Sequence, residues 1–132
     1  MEYSSEDYYD IYKNKTFTRG HDNTKVVESK HLIHPNIFES VYTVSKDGYI
    51  YSIMEDSYIK WDYIDKYPSV ILLTKEKGFI KKRFYVKDLV ACSYIANAND
   101  YLERGYKAVN IDGNPNNCNY HNIIFIDPNK EY

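Results

Sequence analysis

VNIDGNPNNCNYHNIIFI, residues 109–126, sets a polar, turn-rich loop between two short strand-prone runs. Residues 106–110 and Ile123–Ile126 read as strands, and Asp112 to Asn119 reads as turn, with Asp-Gly, Asn-Pro and Asn-Asn pairs inside it. Upstream, Val86, Leu89, Val90 and Tyr94 recur at helical spacing, which predicts a helix over 86–95 that Asn97, Asn99 and Asp100 end. Before it, Ser69–Thr74 and Phe79–Val86 flank Lys75-Glu76-Lys77-Gly78, a hairpin with Gly at the turn. Earlier still, Val41–Val44 and Tyr49–Ile53 flank Lys46-Asp47-Gly48, where Asp-Gly between β-prone runs signals another hairpin. The acidic stretch 55–68, with Trp61 inside it, connects the two hairpins, and residues 13–30 are polar and read as loop. The expected organisation is an N-terminal arm over 1–36, partly irregular, and one α+β domain over 37–132.

Composition narrows the class. A chain of 132 residues with 43% hydrophobic and 27% charged residues fits one soluble globular domain with a modest core. No apolar run approaches the ~20 residues of a membrane helix, and the acidic start MEYSSEDYYD has no apolar segment of a secretory signal, so the expectation is a cytoplasmic protein without a membrane partner. Cys92 and Cys118 form no Cys-x-x-Cys pair and are expected as free thiols. Fourteen lysines against three arginines, sixteen tyrosines and abundant Asn and Ile match AT-rich codons, which points to an AT-rich genome. The tyrosines have a second reading as an aromatic contact surface, with Tyr3, Tyr8, Tyr9 and Tyr12 of the acidic arm as partner-binding candidates.

Several segments, in order, carry a resemblance. YTVSKDGYIYS (42–52) resembles the pattern YeVSnlGrVrS of the hairpin module found beside HNH nucleases of the homing type. YPSVILLTKEKGFIKKRFYVKDLVACSYI (67–95) resembles the second hairpin and VHRLVAxAFI helix of that family, and ANAND (96–100) its PNPEN linker. VNIDGNPNNCNYHNIIFID (109–127) is similar to VNHIDGNKxNNxxxNLEWVT. The resemblance, over about residues 37–127, is to the HNH homing endonucleases, common in phages. It implies two β-hairpins and a helix followed by a ββα-metal unit, with a His as general base and one divalent metal at the scissile phosphate.

The pattern departs from that family at two places. Aligned on IDGN, the catalytic His position holds Asn110; with a one-residue deletion allowed, Asn110 keeps the preceding position and the His is missing. An amide has no site of suitable basicity to take a proton from water. The chain also ends at Tyr132, so the final helix with its metal ligand is expected to be absent and the ββα unit truncated. Asp112, Gly113, Asn114, Asn117 and Asn122 match and are expected to shape the loop. Asn110, Asp112 and His121 remain as catalytic candidates, His121 as a relocated base. His31 and His34 have i, i+3 spacing that would hold a metal on a helix, but lack Cys or carboxylate companions, and no metal residues are assigned. No cofactor is expected, and Mg²⁺ or Mn²⁺ only if nuclease activity survives.

The net charge of −2 hides a pattern. Lys75, Lys77, Lys81, Lys82, Arg83 and Lys87 face one acid, Glu76, within 75–87, whereas Glu55, Asp56, Asp62 and Asp65 outnumber Lys60 within 55–65. The basic run reads either as phosphate contacts, with Phe84 and Tyr85 beside them, or as a solvated edge guarded against aggregation. The leading expectation is a catalytically degenerate HNH-like phage or viral protein that binds DNA or a nucleic-acid-handling protein rather than cutting. The alternatives are a small inhibitor of a host defence system, its target a host protein complex, and a metal-dependent nicking enzyme. A homodimer is a further expectation, from the exposed aromatic load.

Overall fold

The computed structural model describes residues 16–18 and 26–130, and it is an α+β structure. Among these residues, β1 (Thr16–Thr18), β2 (Val26–His31), β3 (Tyr42–Ser45), β4 (Ile50–Ser52) and β5 (Ser57–Ile59) form an antiparallel five-stranded sheet in chain order. β6 (Asp62–Ile64), β7 (Tyr67–Leu73) and β8 (Lys81–Tyr85) form a three-stranded sheet. α1 (Val86–Tyr94) and α2 (Ala98–Glu103) follow, and β9 (Lys107–Asn110) pairs with β10 (Ile123–Ile126).

Both predicted hairpins and the predicted helix are present. The β3–β4 turn is closed by Gly48 N–H to Ser45 O (3.0 Å) and by Tyr49 N–H to the Ser45 hydroxyl (2.9 Å). Gly48 sits at φ +93°, where L side chains are strained, and an added Cβ there would overlap Val86 Cγ1 and crowd Cys118 Cβ at 3.3 Å. The turn is therefore pressed against the helix start and the 110–122 loop. Trp61 locks it from outside, donating its indole N–H to Gly48 O (2.9 Å) while stacking on Tyr49.

Three expectations change. The loop read over 13–30 contains strands: Thr16–Thr18 and Val26–His31, the latter paired with β3 through Ser29↔Ser45, Lys30↔Val44 and His31↔Thr43. The acidic connector 55–68 supplies β5 and β6, one to each larger sheet. α1 stops at Tyr94 with Ile95 as its extended cap, and Asn97, at φ +63°, opens a second helix that takes in Asn99 and Asp100. α2 is too short to stand alone and is held by tertiary contact, with Tyr101 stacked on Phe125 at 5.2 Å. It closes in a Schellman motif, with Tyr106 N–H to Tyr101 O and Gly105 N–H to Leu102 O around Gly105 at φ +84°.

The core lies where α1 meets the three sheets. Val86, Leu89, Val90 and Ala91 are fully buried against Val44, Ile50, Val70, Leu72, Ala108 and Ile123. Each large apolar side chain so enclosed contributes about 1.5–3 kcal/mol. Polar ties fix the orientation of α1: the Tyr94 hydroxyl donates to Val44 O (2.7 Å), and Ser93 Oγ accepts from Ile33 N–H (2.9 Å). Residues 29–37 are thus built into the body, with Leu32 and Ile37 in the core. None of the described helices is long and apolar enough to cross a membrane.

Candidate functional site

The β9–β10 loop is held by its own side chains. Strand alternation puts Ala108 and Asn110 on the core side of β9, opposite Phe125 and Ile123, so Asn110 is only 6% exposed. Its Nδ2 donates to Asn117 O (3.0 Å), and Asn122 Nδ2 donates to the same carbonyl (2.9 Å). Asp112 is the hub. Its Oδ1 accepts from Asn114 N–H (2.8 Å) and Asn122 Nδ2 (3.0 Å), and its Oδ2 from Asn117 Nδ2 (2.9 Å). Those donors, Asn117 first, hold the Asp112 carboxyl below its ordinary pKa. Gly113, at φ +74°, returns its N–H to Asn110 O (3.0 Å), and Asn114 Oδ1 accepts from Asn116 N–H (3.0 Å).

A second set of bonds ties this loop to the first hairpin. Asn119 Nδ2 donates to Asp47 Oδ1 (2.8 Å), and Tyr120 N–H to Lys46 O (3.0 Å). Neither the Asn119–Asp47 pair nor the Gly48 contact had a local signal, since the partners lie in distant segments of the chain.

The chemistry open to this loop is narrow. Asn110 is buried, and its amide nitrogen is engaged as a donor. Both oxygens of Asp112 already accept hydrogen bonds. His121 is exposed on the 3₁₀ turn Tyr120–Asn122, with its ring 3.9 Å from that of Tyr120, and no hydrogen bond joins it to Asn110 or Asp112. The family resemblance implies one divalent cation here, and the donors do not fit one. Neutral amides surround a single carboxylate that they already bind, and among the described residues no three His, Cys, Asp or Glu side chains are grouped to hold a metal.

His31 and His34 do not share a helix face. His31 is the last residue of β2, with Nδ1 2.6 Å from Glu39 O, whereas His34 Nδ1 accepts from Asn36 N–H (3.1 Å) and its ring packs edge-on against Phe84. A cleft of about 350 Å³ beside His34 includes Glu39, Lys75, Cys92 and Asn99. Burial, with Asp88 nearby, pushes the Cys92 thiol up to about 12, and burial lowers His34, so thiolate chemistry is disfavoured there.

The six cations of 75–87 divide between surfaces. Register places Lys81, Arg83 and Tyr85 on the outer face of the three-stranded sheet, opposite Leu73, Ile71 and Ser69. Arg83 is braced by Ser69 Oγ (2.9 Å) and by Asp62 (3.1 Å) across the sheet. Lys87 joins this face, with its ammonium 4.2 Å from the Tyr67 ring centre and 5.7 Å from that of Tyr85. Lys82 points the other way and pairs with Glu76 at 2.7 Å. Lys75 lies over Phe38 at 5.4 Å, and Lys77 stands exposed in the turn. Tyr67, Asp62 and Phe38 were missed as partners. The 2.0-residue period of 81–85 was the available signal for which cations share a face. Tyr3, Tyr8, Tyr9 and Tyr12 lie outside the described residues.

No protein-family model matches the chain, and no curated protein does. A solved structure, described as DNA binding and cleavage by the HNH homing endonuclease I-HmuI, matches at 29% identity and a TM-score of 0.57, over 67% of this chain and 48% of that one. The chain spans about half the length of that enzyme. The likeness places the matched two thirds of the chain in an HNH-homing-endonuclease-like α+β fold.

Proposed function

We propose that this protein binds DNA through the outer face of β6–β7–β8 and does not cut it. The observation that carries the reading is Asn110: the strand position of the expected base holds a buried amide already bonded to Asn117 O. The solved neighbour binds and cleaves DNA by its own description, which supports DNA as the ligand for a related fold. On the sheet, Lys81 and Arg83 share the outer face with Tyr85, and Lys87 lies over Tyr67 and Tyr85, a combination suited to a phosphate backbone. With about three such phosphate contacts, log affinity falls with log salt at a slope of roughly −2.7.

A plasmid-binding gel run across a salt series, with Mg²⁺ or Mn²⁺ added, tests both halves. A salt-dependent shift without nicked product is expected. Nicking that disappears in His121→Ala would replace this reading with a relocated-base nuclease. Absence of any shift at low salt would remove DNA as the ligand and favour a protein target.

A further inference from the structure

Resting on the DNA reading above, we propose that Phe79, at the tip of the β7–β8 hairpin, is a stacking site for an unpaired DNA base, with Lys75, Lys77 and Lys81 holding the flanking phosphates. Phe79 is 61% exposed and has φ +50°, a left-handed conformation that a bulky residue seldom adopts. The turn does not need the ring: Phe79 N–H to Glu76 O and Thr74 N–H to Ile80 O (2.9 Å) are backbone bonds that any residue could make. The core does not enclose it either. Its ring leans at 6.2 Å and 32° toward Phe38, itself 41% exposed, and Ile80 beside it is 45% exposed. An apolar ring held in a costly backbone conformation at an exposed tip points to contact with a ligand.

Charge selects the ligand. Lys75 sits over Phe38, Lys77 is in the turn, and Lys81 begins the next strand, while Glu76 is paired with Lys82. An aromatic platform with a basic rim is the combination that single-stranded nucleic acid requires, because every base offers a π-face and every link a phosphate. Inside a duplex the base faces are covered by their neighbours, so the platform suits a base that is unstacked. Lys75 lies over Phe38, and the neighbouring Phe79 offers the more exposed ring. Lys75 N–H to Asn36 O ties the Phe38 loop to the hairpin and keeps the two rings together.

The test compares a labelled short single strand with an abasic strand of equal length, by fluorescence anisotropy. The wild type is expected to prefer the base-bearing strand about ten-fold. Phe79→Gly relaxes the backbone, melts no lower than wild type, and binds both strands equally. Phe79→Trp, with a larger ring, increases the preference, and Lys77→Ala weakens both strands alike. Equal preference in wild type and Phe79→Gly overturns the stacking site, and so does a wild type that shifts duplex DNA without distinguishing the strands, which leaves the sheet face as the DNA surface. A wild type that binds no DNA overturns both.

Discussion

The 110–122 loop and the outer face of β6–β7–β8 are both rich in polar side chains, and they use them in opposite ways. In the loop, Asn110, Asp112, Asn117 and Asn122 bond to one another and to the local backbone, and Asn119 anchors the turn of the first hairpin. On the sheet, Lys81 extends into solvent, Arg83 is held at the surface by Asp62 and Ser69, and Lys87 lies over two tyrosine rings. A loop whose donors and acceptors already satisfy each other stabilises the fold and has little left to offer a substrate. A face that keeps the Lys81 ammonium in solvent, while Asp62 and Ser69 hold the Arg83 guanidinium in place, retains charge that the proposed reading assigns to phosphate. On the proposed reading, the loop that resembles an active site and the face that takes the ligand thus lie in different parts of the molecule.

Substitutions that break the comparison on the loop side have the largest expected effect on stability. Gly48→Ala drives a methyl into Val86 and strains the turn, and is expected to cost about 3 kcal/mol in urea unfolding. Asn110→Ala removes a buried donor and leaves Asn117 O short of one partner, at an expected cost of roughly 1–2 kcal/mol. Its DNA affinity, measured on the folded protein, is expected to equal that of the wild type. Were Asn110 a ligand-contacting group, affinity would fall at temperatures where the variant is still folded.

On the sheet side the pattern reverses. Lys81→Ala is expected to shift stability by less than about 0.5 kcal/mol. In a salt series it lowers the slope of log affinity by about 1. Arg83→Ala does the same and also frees Asp62. A slope unchanged in both variants would take the DNA contact off this face.

The smallest expected effect is on acid stability. The Asp112 carboxyl has a folded pKa below its ordinary 3.8, so its contribution is fully present above that value and is lost as pH falls through the lowered one. Asp112→Asn removes this part of the acid dependence, which a thermal melt series from neutral to strongly acid pH would register. Asp88 works in the other direction. Burial raises its pKa, so this group favours the fold more as pH falls through the raised value.

Local pattern made part of this legible and distance hid the rest. The β3–β4 and β7–β8 hairpins, α1 and the β9–β10 pair follow from runs, turns and spacings that lie within a few residues of each other. β2 was hidden because Val26-Val27 runs into Glu28-Ser29-Lys30, and its strand state depends on pairing with Ser45 to Thr43. α2 was hidden because six residues show no full period and Phe125 supplies its support. In the loop, the Asn and Asp spacing was visible, whereas the pairing of each donor with its acceptor was not. On the hairpin, a run of cations was visible, but Glu76 removes Lys82, and Phe38, from another segment, takes Lys75.

The most direct test of DNA binding without cleavage is one gel in which the purified chain is titrated onto supercoiled plasmid at low salt with Mg²⁺ or Mn²⁺. Retarded plasmid that stays supercoiled after protein removal is the predicted result. Conversion to nicked circles by the wild type, abolished in His121→Ala, would contradict it.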